Sequence, residues 1–377
     1  MSYQADYQLS VTNPNTGEIL DVLPATRFSN LTYTRLINDF GKLSFTIESD
    51  DNLAQYKGVL DLIVDVYRRN DENSNFAIEG SFLIRYFNQF VEEETQDEYI
   101  VFGGVGLEDL LGAREILIQD DPLNADGFST KFAAGSTVML ELVTDQIIAP
   151  FINAEREFAG FTANDDPLIG FDVFQRLSGG NLLDILKECA LKSVIDFRIA
   201  HNGSAAVEFI TERIGTDRTY TTNYPLSPFI LFDPRRNNMI NPSLTIDRTK
   251  EKTVCYVLGQ GANDDRYIFP VVVPAAGDSI WNRRETTTDA RNNENADTDG
   301  LQSAGLEALD KAKAEIIFDF TPNTTINQLR YNIDWFLGDR VTGNYGNYQQ
   351  DYRIMQISVA VNENGETVTP TLEKVIN

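Results

Sequence analysis

The chain has 377 residues, more than one ordinary hydrophobic core holds, so two to three domains of roughly 100 to 200 residues each are expected. A hydrophobic content of 42% and an aromatic content of 11% describe a folded globular protein, and no window approaches the roughly 18 apolar residues of a membrane-spanning helix. With 57 acidic against 31 basic residues, a net charge of -26, general nucleic-acid binding is excluded, since it needs cations to replace phosphate counterions.

The first residues, Met1-Ser2-Tyr3-Gln4-Ala5-Asp6, lack the basic patch and apolar core of a secretory signal, and synthesis and folding in a cytoplasm are expected. Residues 5 to 117 read as β-rich, with strands predicted at 6–12, 41–48, 60–68, 76–87 and 97–103. Leu43, Phe45 and Ile47 share one face, as do Leu62, Val64 and Val66, and as do Phe76, Ile78, Phe82 and Ile84 across Gly80, the period of two that strands require. Arg68 to Asn75 is a hairpin loop, and the acidic run from Val91 to Glu98 joins two strands through solvent. Short strands at this spacing predict a small barrel or sandwich.

After Arg114 the pattern changes. Ser136 is placed to cap a helix whose Met139, Leu142, Val143 and Ile147 form one stripe before Pro150 stops it. Asn181 caps a second run in which Leu182, Ile185, Leu186, Cys189 and Ala190 follow helical spacing. Strands are predicted from Ser193 to Ile199 and Ala205 to Glu212, around the turn His201-Asn202-Gly203. Residues 118–235 thus read as an α+β domain.

Tyr220 to Asn241 reads as a crossover, and strands at Val254–Gly259 and Tyr267–Val273 begin a second β-rich unit. A polar stretch from Thr286 to Gly300 interrupts it. A helix follows, with Leu301, Ala304, Gly305, Ala308, Leu309, Ala312 and Ile316 on one face. Between Arg353 and Val375 apolar and polar residues alternate around Asn364-Gly365, the signal of a two-residue type I′ hairpin turn. That turn sets Glu363 opposite Glu366 and pairs Val361 with Val368, Val359 with Pro370 and Ile357 with Leu372 on one face. Ser358, Ala360, Thr369 and Thr371 take the other.

Three segments carry a family likeness: Phe40-Gly41-Lys42-Leu43-Ser44-Phe45-Thr46-Ile47, Gly104-Val105-Gly106-Leu107-Glu108-Asp109-Leu110-Leu111-Gly112-Ala113-Arg114, and Tyr331-Asn332-Ile333-Asp334-Trp335-Phe336-Leu337-Gly338-Asp339-Arg340-Val341 leading to Tyr352-Arg353-Ile354. In order and spacing the chain resembles the baseplate or tail hub proteins of tailed bacteriophages and related injection machines. The resemblance implies a β-rich α+β fold: two small β-barrel-like tube domains, at 1–117 and 236–377, the second with an inserted polar loop and helix (286–318), and an α+β insertion domain at 118–235. It further implies a homotrimeric ring at the tail tip of the virion, ending the tail tube. Its implied partners are a tail tube or distal tail protein, the tape measure protein and a tip fibre, spike or needle, with DNA passing through the lumen. An acidic lumen wall would repel phosphate.

Chemistry-bearing constellations are sparse. A Ser, His and acid arrangement would have to use the sole histidine, His201, for which the sequence suggests neither partner nor pocket. Gly103-Gly104-Val105-Gly106 and Gly259-Gln260-Gly261 do not fit a nucleotide fingerprint and read as strand ends or bends. Asn295, Asp297 and Asp299, before Gly300, match the first half of a calcium loop. The twelfth position is Leu306, however, and a solvated loop explains these residues equally. Cys189 and Cys255 are expected as buried thiols, and no zinc ligand set can be assembled. Tyr345, Tyr348 and Tyr352 are candidates for a subunit interface or sugar contact, with packing inside a barrel as the alternative. No catalytic residue, cofactor or resident metal is assigned. A tail-associated cell-wall hydrolase and a host-glycan-binding β module are the competing readings.

Overall fold

The computed structural model describes residues 5–375 apart from 60, 72–73, 118–128, 151–153, 204, 226–227, 262–264, 274–279, 292–297, 324–328 and 347. The chain divides into two units, Met1–Asn241 with Phe320–Asn377, and Pro242–Asp319. The expected division at 117/118 and 235/236 cuts the chain elsewhere. The core beneath the middle segment runs continuously from Ile63, Leu83, Leu107 and Leu111 into Val138, Met139, Leu186 and Phe197.

The first unit opens with β1 (Asp6–Thr12), β2 (Ile19–Pro24), β3 (Ser29–Leu36), β4 (Lys42–Glu48), β5 (Ile63–Arg69), β6 (Ala77–Val91) and β7 (Glu98–Gly106), then the short α1 (Asp109–Gly112). Every strand expected here is present. β2 and β3 are additional, and β3 shows the same signal, with Leu31 and Tyr33 buried on alternate positions.

The middle segment holds β8 (Ser129–Ala134), α2 (Gly135–Val143), β9 (Phe161–Ala163), β10 (Asp172–Leu177), α3 (Leu182–Ser193), β11 (Asp196–His201) and β12 (Val207–Glu212). The Asn181 side chain accepts the Leu183 N–H, as the capping pattern predicts. Ser136 does not cap α2. It lies inside the first turn, where its Oγ donates to Asp166 at 2.7 Å and accepts the Ile169 N–H at 3.0 Å.

The chain continues through α4 (Tyr220–Asn223), β13 (Leu231–Phe232) and β14 (Met239–Asp247) into the second unit. There β15 (Val254–Leu258) lies between antiparallel β16 (Ile268–Val272) and parallel β17 (Glu285–Asp289). The stretch predicted as an interrupting loop therefore begins as a strand. α5 (Thr298–Lys311) packs on this sheet through Leu301 and Leu309 against Cys255, Val257 and Val271. The helix ends before Ile316, which belongs to β18 (Glu315–Pro322).

β19 (Arg340–Tyr345), β20 (Tyr348–Asn362) and β21 (Gly365–Lys374) close the first unit. β20 lies between β21 and β3, and the ladder continues β3-β4-β7-β6-β5-β1-β2. Both ends of the chain thus share one sheet. The ladder is open at β2, so a barrel closed by strand pairing is not present among the described residues.

The hairpin register differs from the expected one by two residues. Asn362 pairs Gly365, Val359 pairs Val368 and Ile357 pairs Pro370, with a bulge before Ile354↔Leu372. Gly365 takes φ 111, while Asn364 is not among the left-handed residues a type I′ turn requires. The turn sits on Glu363-Asn364, and the Asn362 side chain accepts the Asn364 N–H. A slip of two leaves the faces unchanged, so Ile357, Val359, Val368, Pro370 and Leu372 are buried as expected.

Candidate functional site

The motif from Tyr331 to Val341 is a junction where distant segments meet. Trp335 is fully buried and donates its indole N–H to the Leu329 carbonyl. Gly338 follows at φ 87, and its N–H donates to the Ile354 carbonyl. Asp339 accepts the N–H groups of Thr216 at 2.7 Å and Phe336 at 3.0 Å and faces Arg218 Nε at 3.0 Å. Burial raises its carboxyl pKa against those three favourable contacts. Arg353 completes the junction by donating to the Gly338 and Ile214 carbonyls and to both Asp196 oxygens.

A second buried network ties the N-terminal strands to the C-terminal ones. Glu79 on β6, with no exposed side-chain area, accepts from Tyr331 Oη at 2.7 Å, from Arg35 at 3.1 Å and from Asn332. Arg68 on β5 pairs Glu366 on β21 at 2.9 Å and lies over the Tyr331 ring, and Tyr7 Oη also meets Glu366. Burial, then the Glu79 charge, pushes the Tyr331 phenol pKa far up, so it stays a donor. Two carboxylates and two guanidiniums balance, the condition under which buried charge is tolerated.

His201 is paired rather than catalytic in its geometry. Its Nδ1 lies 2.8 Å from Asp65 Oδ2, and Ser81 Oγ donates to Asp65 Oδ1 at 2.6 Å, with both the His201 and Asp65 side chains buried. Serine and histidine share one carboxylate, so the histidine is not set to take the serine proton. In the neighbouring GLEDLL segment, Glu108 accepts the Ile199 N–H at 3.1 Å, and burial raises its carboxyl pKa.

The three candidate tyrosines separate. Tyr345, 40% exposed, pairs Tyr348 at the β19–β20 turn, whereas Tyr352 is 1% exposed opposite Val341. Tyr352 is therefore core packing. Asn295 and Asp297 lie outside the described residues, and Asp299 falls in the first turn of α5 with its side chain undescribed. Among the described residues no cluster of three His, Cys, Asp or Glu side chains forms a metal-holding group, and no helix is long and apolar enough to cross a membrane.

Two surface features went unnoticed in the sequence. A groove of about 560 Å³ crosses the outer face of β3, β4, β7, β20 and β21, floored by Thr32, Ser44, Gly103, Ser358 and Ala360 and bordered by Lys42 and Arg85. Beside it, residues 85–98 of the β6–β7 hairpin are all exposed, including Tyr86 at 56% and Val91 at 53%. The predicted strand ends at 87 and the acidic run from Val91 is expected in solvent; only the ladder shows that β6 runs on to Val91 and that β5 stops short of it.

The family model described as Siphovirus ReqiPepy6 Gp37-like protein matches residues 21–372. The chain belongs to this family. Solved structures share the fold of the Gp37-like chain over nearly its whole length. The 43 kDa tail protein of prophage MuSo2 from Shewanella oneidensis aligns at 12% identity and TM-score 0.60, covering 98% of each chain. The tail protein from Neisseria meningitidis MC58 aligns at 12% identity and TM-score 0.55, covering 97% of this chain and 96% of that one. Prophage tail protein gp18 from Listeria monocytogenes EGD-e aligns at 11% identity and TM-score 0.50, covering 98% and 95%. None of the curated proteins compared with the Gp37-like chain matches it. This is a siphovirus family with the fold of phage tail proteins.

Proposed function

We propose that the chain is a structural tail hub: a homotrimeric ring at the tail tip that ends the tail tube, anchors tip components and lets DNA pass. The observation that carries the reading is the full-length match to tail-protein folds, 98% of both chains for the MuSo2 protein. The buried contacts support a scaffold role. Arg68–Glu366 and Tyr331–Glu79 join segments 298 and 252 residues apart, cross-links that suit a scaffold. The strand edges supply the surfaces from which the proposed tube domains pack into a ring. A net charge of -26 suits a lumen that must not hold DNA.

Light scattering and negative-stain imaging of the purified chain test this. A three-fold ring with a central opening is expected. A monomer that stays monomeric with its tube partner present would overturn it.

A further inference from the structure

We propose that the outer half of β6 is a docking edge for a strand of another protein, uncharged alongside Phe87–Val91 and carrying Lys or Arg where it reaches the β6–β7 turn. This goes beyond the ring reading and does not depend on it. β6 pairs β5 only as far as Ile63↔Leu83, while its pairing with β7 continues to Val91↔Glu98. Beyond Ile84 no strand among the described residues pairs this side of β6, and the side-chain contacts of Lys57 with Gln89 and of Phe87 with Gly58 are what reach it.

The ladder shows which backbone groups face outward. The Glu92 N–H donates to the Asp97 carbonyl across the hairpin, and the Glu98 carbonyl accepts Ser49 N–H on the far side of β7. Antiparallel pairs alternate between bonded and non-bonded. Phe87, Gln89 and Val91 thus turn their N–H and C=O groups away from β7, and among the described residues nothing takes them.

The open edges of β2, β16 and β17 are blunted. β2 has Asp21 in its middle and ends at Pro24, β16 carries Pro270, and β17 carries Glu285 and Asp289, the devices that prevent strand addition. Tyr86-Phe87-Asn88-Gln89-Phe90-Val91 has no charge, proline or glycine. In a chain with net charge -26, an uncharged and exposed edge is one left able to pair.

Charge selects the occupant. The turn beside the edge carries Glu92, Glu93, Glu94, Asp97 and Glu98, all exposed, and among the described residues none is in a salt bridge. No Lys or Arg occurs from Tyr86 to Ala113. A second copy would bring the same carboxylates, while of the cations beside the edge Arg85 is already paired with Asp61 and Lys57 is held at 3.0 Å on Gln89 Oε1. A basic-ended strand removes the repulsion.

The test uses the intact chain and a fluorescent peptide of alternating threonine and valine with a run of lysines at its N- or C-terminal end; a glutamate-ended peptide is the control. The lysine peptide is expected to bind and the glutamate peptide to fail. Val91→Pro removes an outward N–H and spares the backbone ladder to β7, and should weaken binding about tenfold or more, as should Gln89→Pro, which also removes the Gln89 side-chain bonds to Glu98 and Lys57. Glutamine at 92, 93 and 94 should reduce the salt dependence of binding, leaving only Asp97 and Glu98 to attract the lysines. Circular dichroism checks that each variant is folded. Absence of lysine-peptide binding, or binding indifferent to both prolines, overturns the proposal. A change of oligomeric state in Gln89→Pro overturns it too, because a second copy then fills the edge. A wild type that binds the peptide yet stays monomeric with its tube partner present would sink the ring and leave this edge standing.

Discussion

The backbones of Gly215 and Gly338 cross in direct contact: a Cβ on Gly215 would lie 2.0 Å from the Gly338 carbonyl carbon, and one on Gly338 would lie 2.6 Å from the Ile214 oxygen. Both glycines are left-handed, at φ 86 and φ 87. The crossing lets Arg340 N–H donate to Thr216 and Arg218 N–H donate to Arg340, docking the segment after β12 along β19.

Alanine at either position should therefore destabilise the chain by about 3 kcal/mol or more. Gly203 is the internal control, since it is also left-handed at φ 78 but has nothing within 4 Å of an added Cβ. Gly203→Ala should cost only about 1 kcal/mol. Urea unfolding of the three variants decides; equal costs would mean the crossing is not tight.

Asp65 accepts from Ser81 and faces His201, all from different strands or loops of the first unit. Asp65→Ala leaves a half-buried hydroxyl and a buried imidazole short of their acceptor, and a loss of about 3 kcal/mol is expected. Asp65→Asn, which keeps an acceptor oxygen, should cost less. A midpoint shift for alanine no larger than that for asparagine would contradict the role given to the carboxylate.

Asp233 accepts the Arg235 side chain and N–H and the Asn344 amide, and these hold its pKa down at about 2, against an ordinary 3.8. A depressed carboxyl stabilises the fold fully above its unfolded pKa and loses that contribution as pH falls through the folded one. Stability should thus decline between about pH 4 and pH 2 by about 1 to 2 kcal/mol from this group, reduced by screening of the exposed Arg235. Asp233→Asn should flatten that limb of a melting-temperature profile; an unchanged acid limb would show that the carboxylate is not paired in solution.

Cys189 and Cys255 are both fully buried, and burial raises both thiol pKa values. Neither should react with a disulfide reagent in native buffer at neutral pH, and both should react once urea unfolds the chain. Rapid labelling of Cys255 alone would show that the second unit opens locally before the first.

Local order was legible in the sequence wherever one chemical rule acted over a few residues. Period-two alternation placed β1, β4 and β5, the Asn181 cap placed α3, and the faces of the closing hairpin held even though its register did not, because a shift of two preserves parity. The turn itself was misread because Asn364-Gly365 fits two hairpin geometries with a left-handed Gly365, and only the backbone angle at Asn364 separates them. The strand Glu285–Asp289 was hidden for a related reason: its polar residues show no apolar face, and it becomes a strand only by pairing with β15.

What the tertiary structure alone decided is who meets whom across hundreds of residues. Nothing near Tyr331 foretells Glu79, nothing near Gly338 foretells Gly215, and the histidine that lacked a visible partner has Asp65 from β5. The openness of β6 is likewise a property of where β5 ends. Sequence carries the preferences that act within a turn or two. Pairings between distant groups depend on the entropy of closing the whole chain, and are settled only when every buried donor, acceptor and charge must find its partner at once.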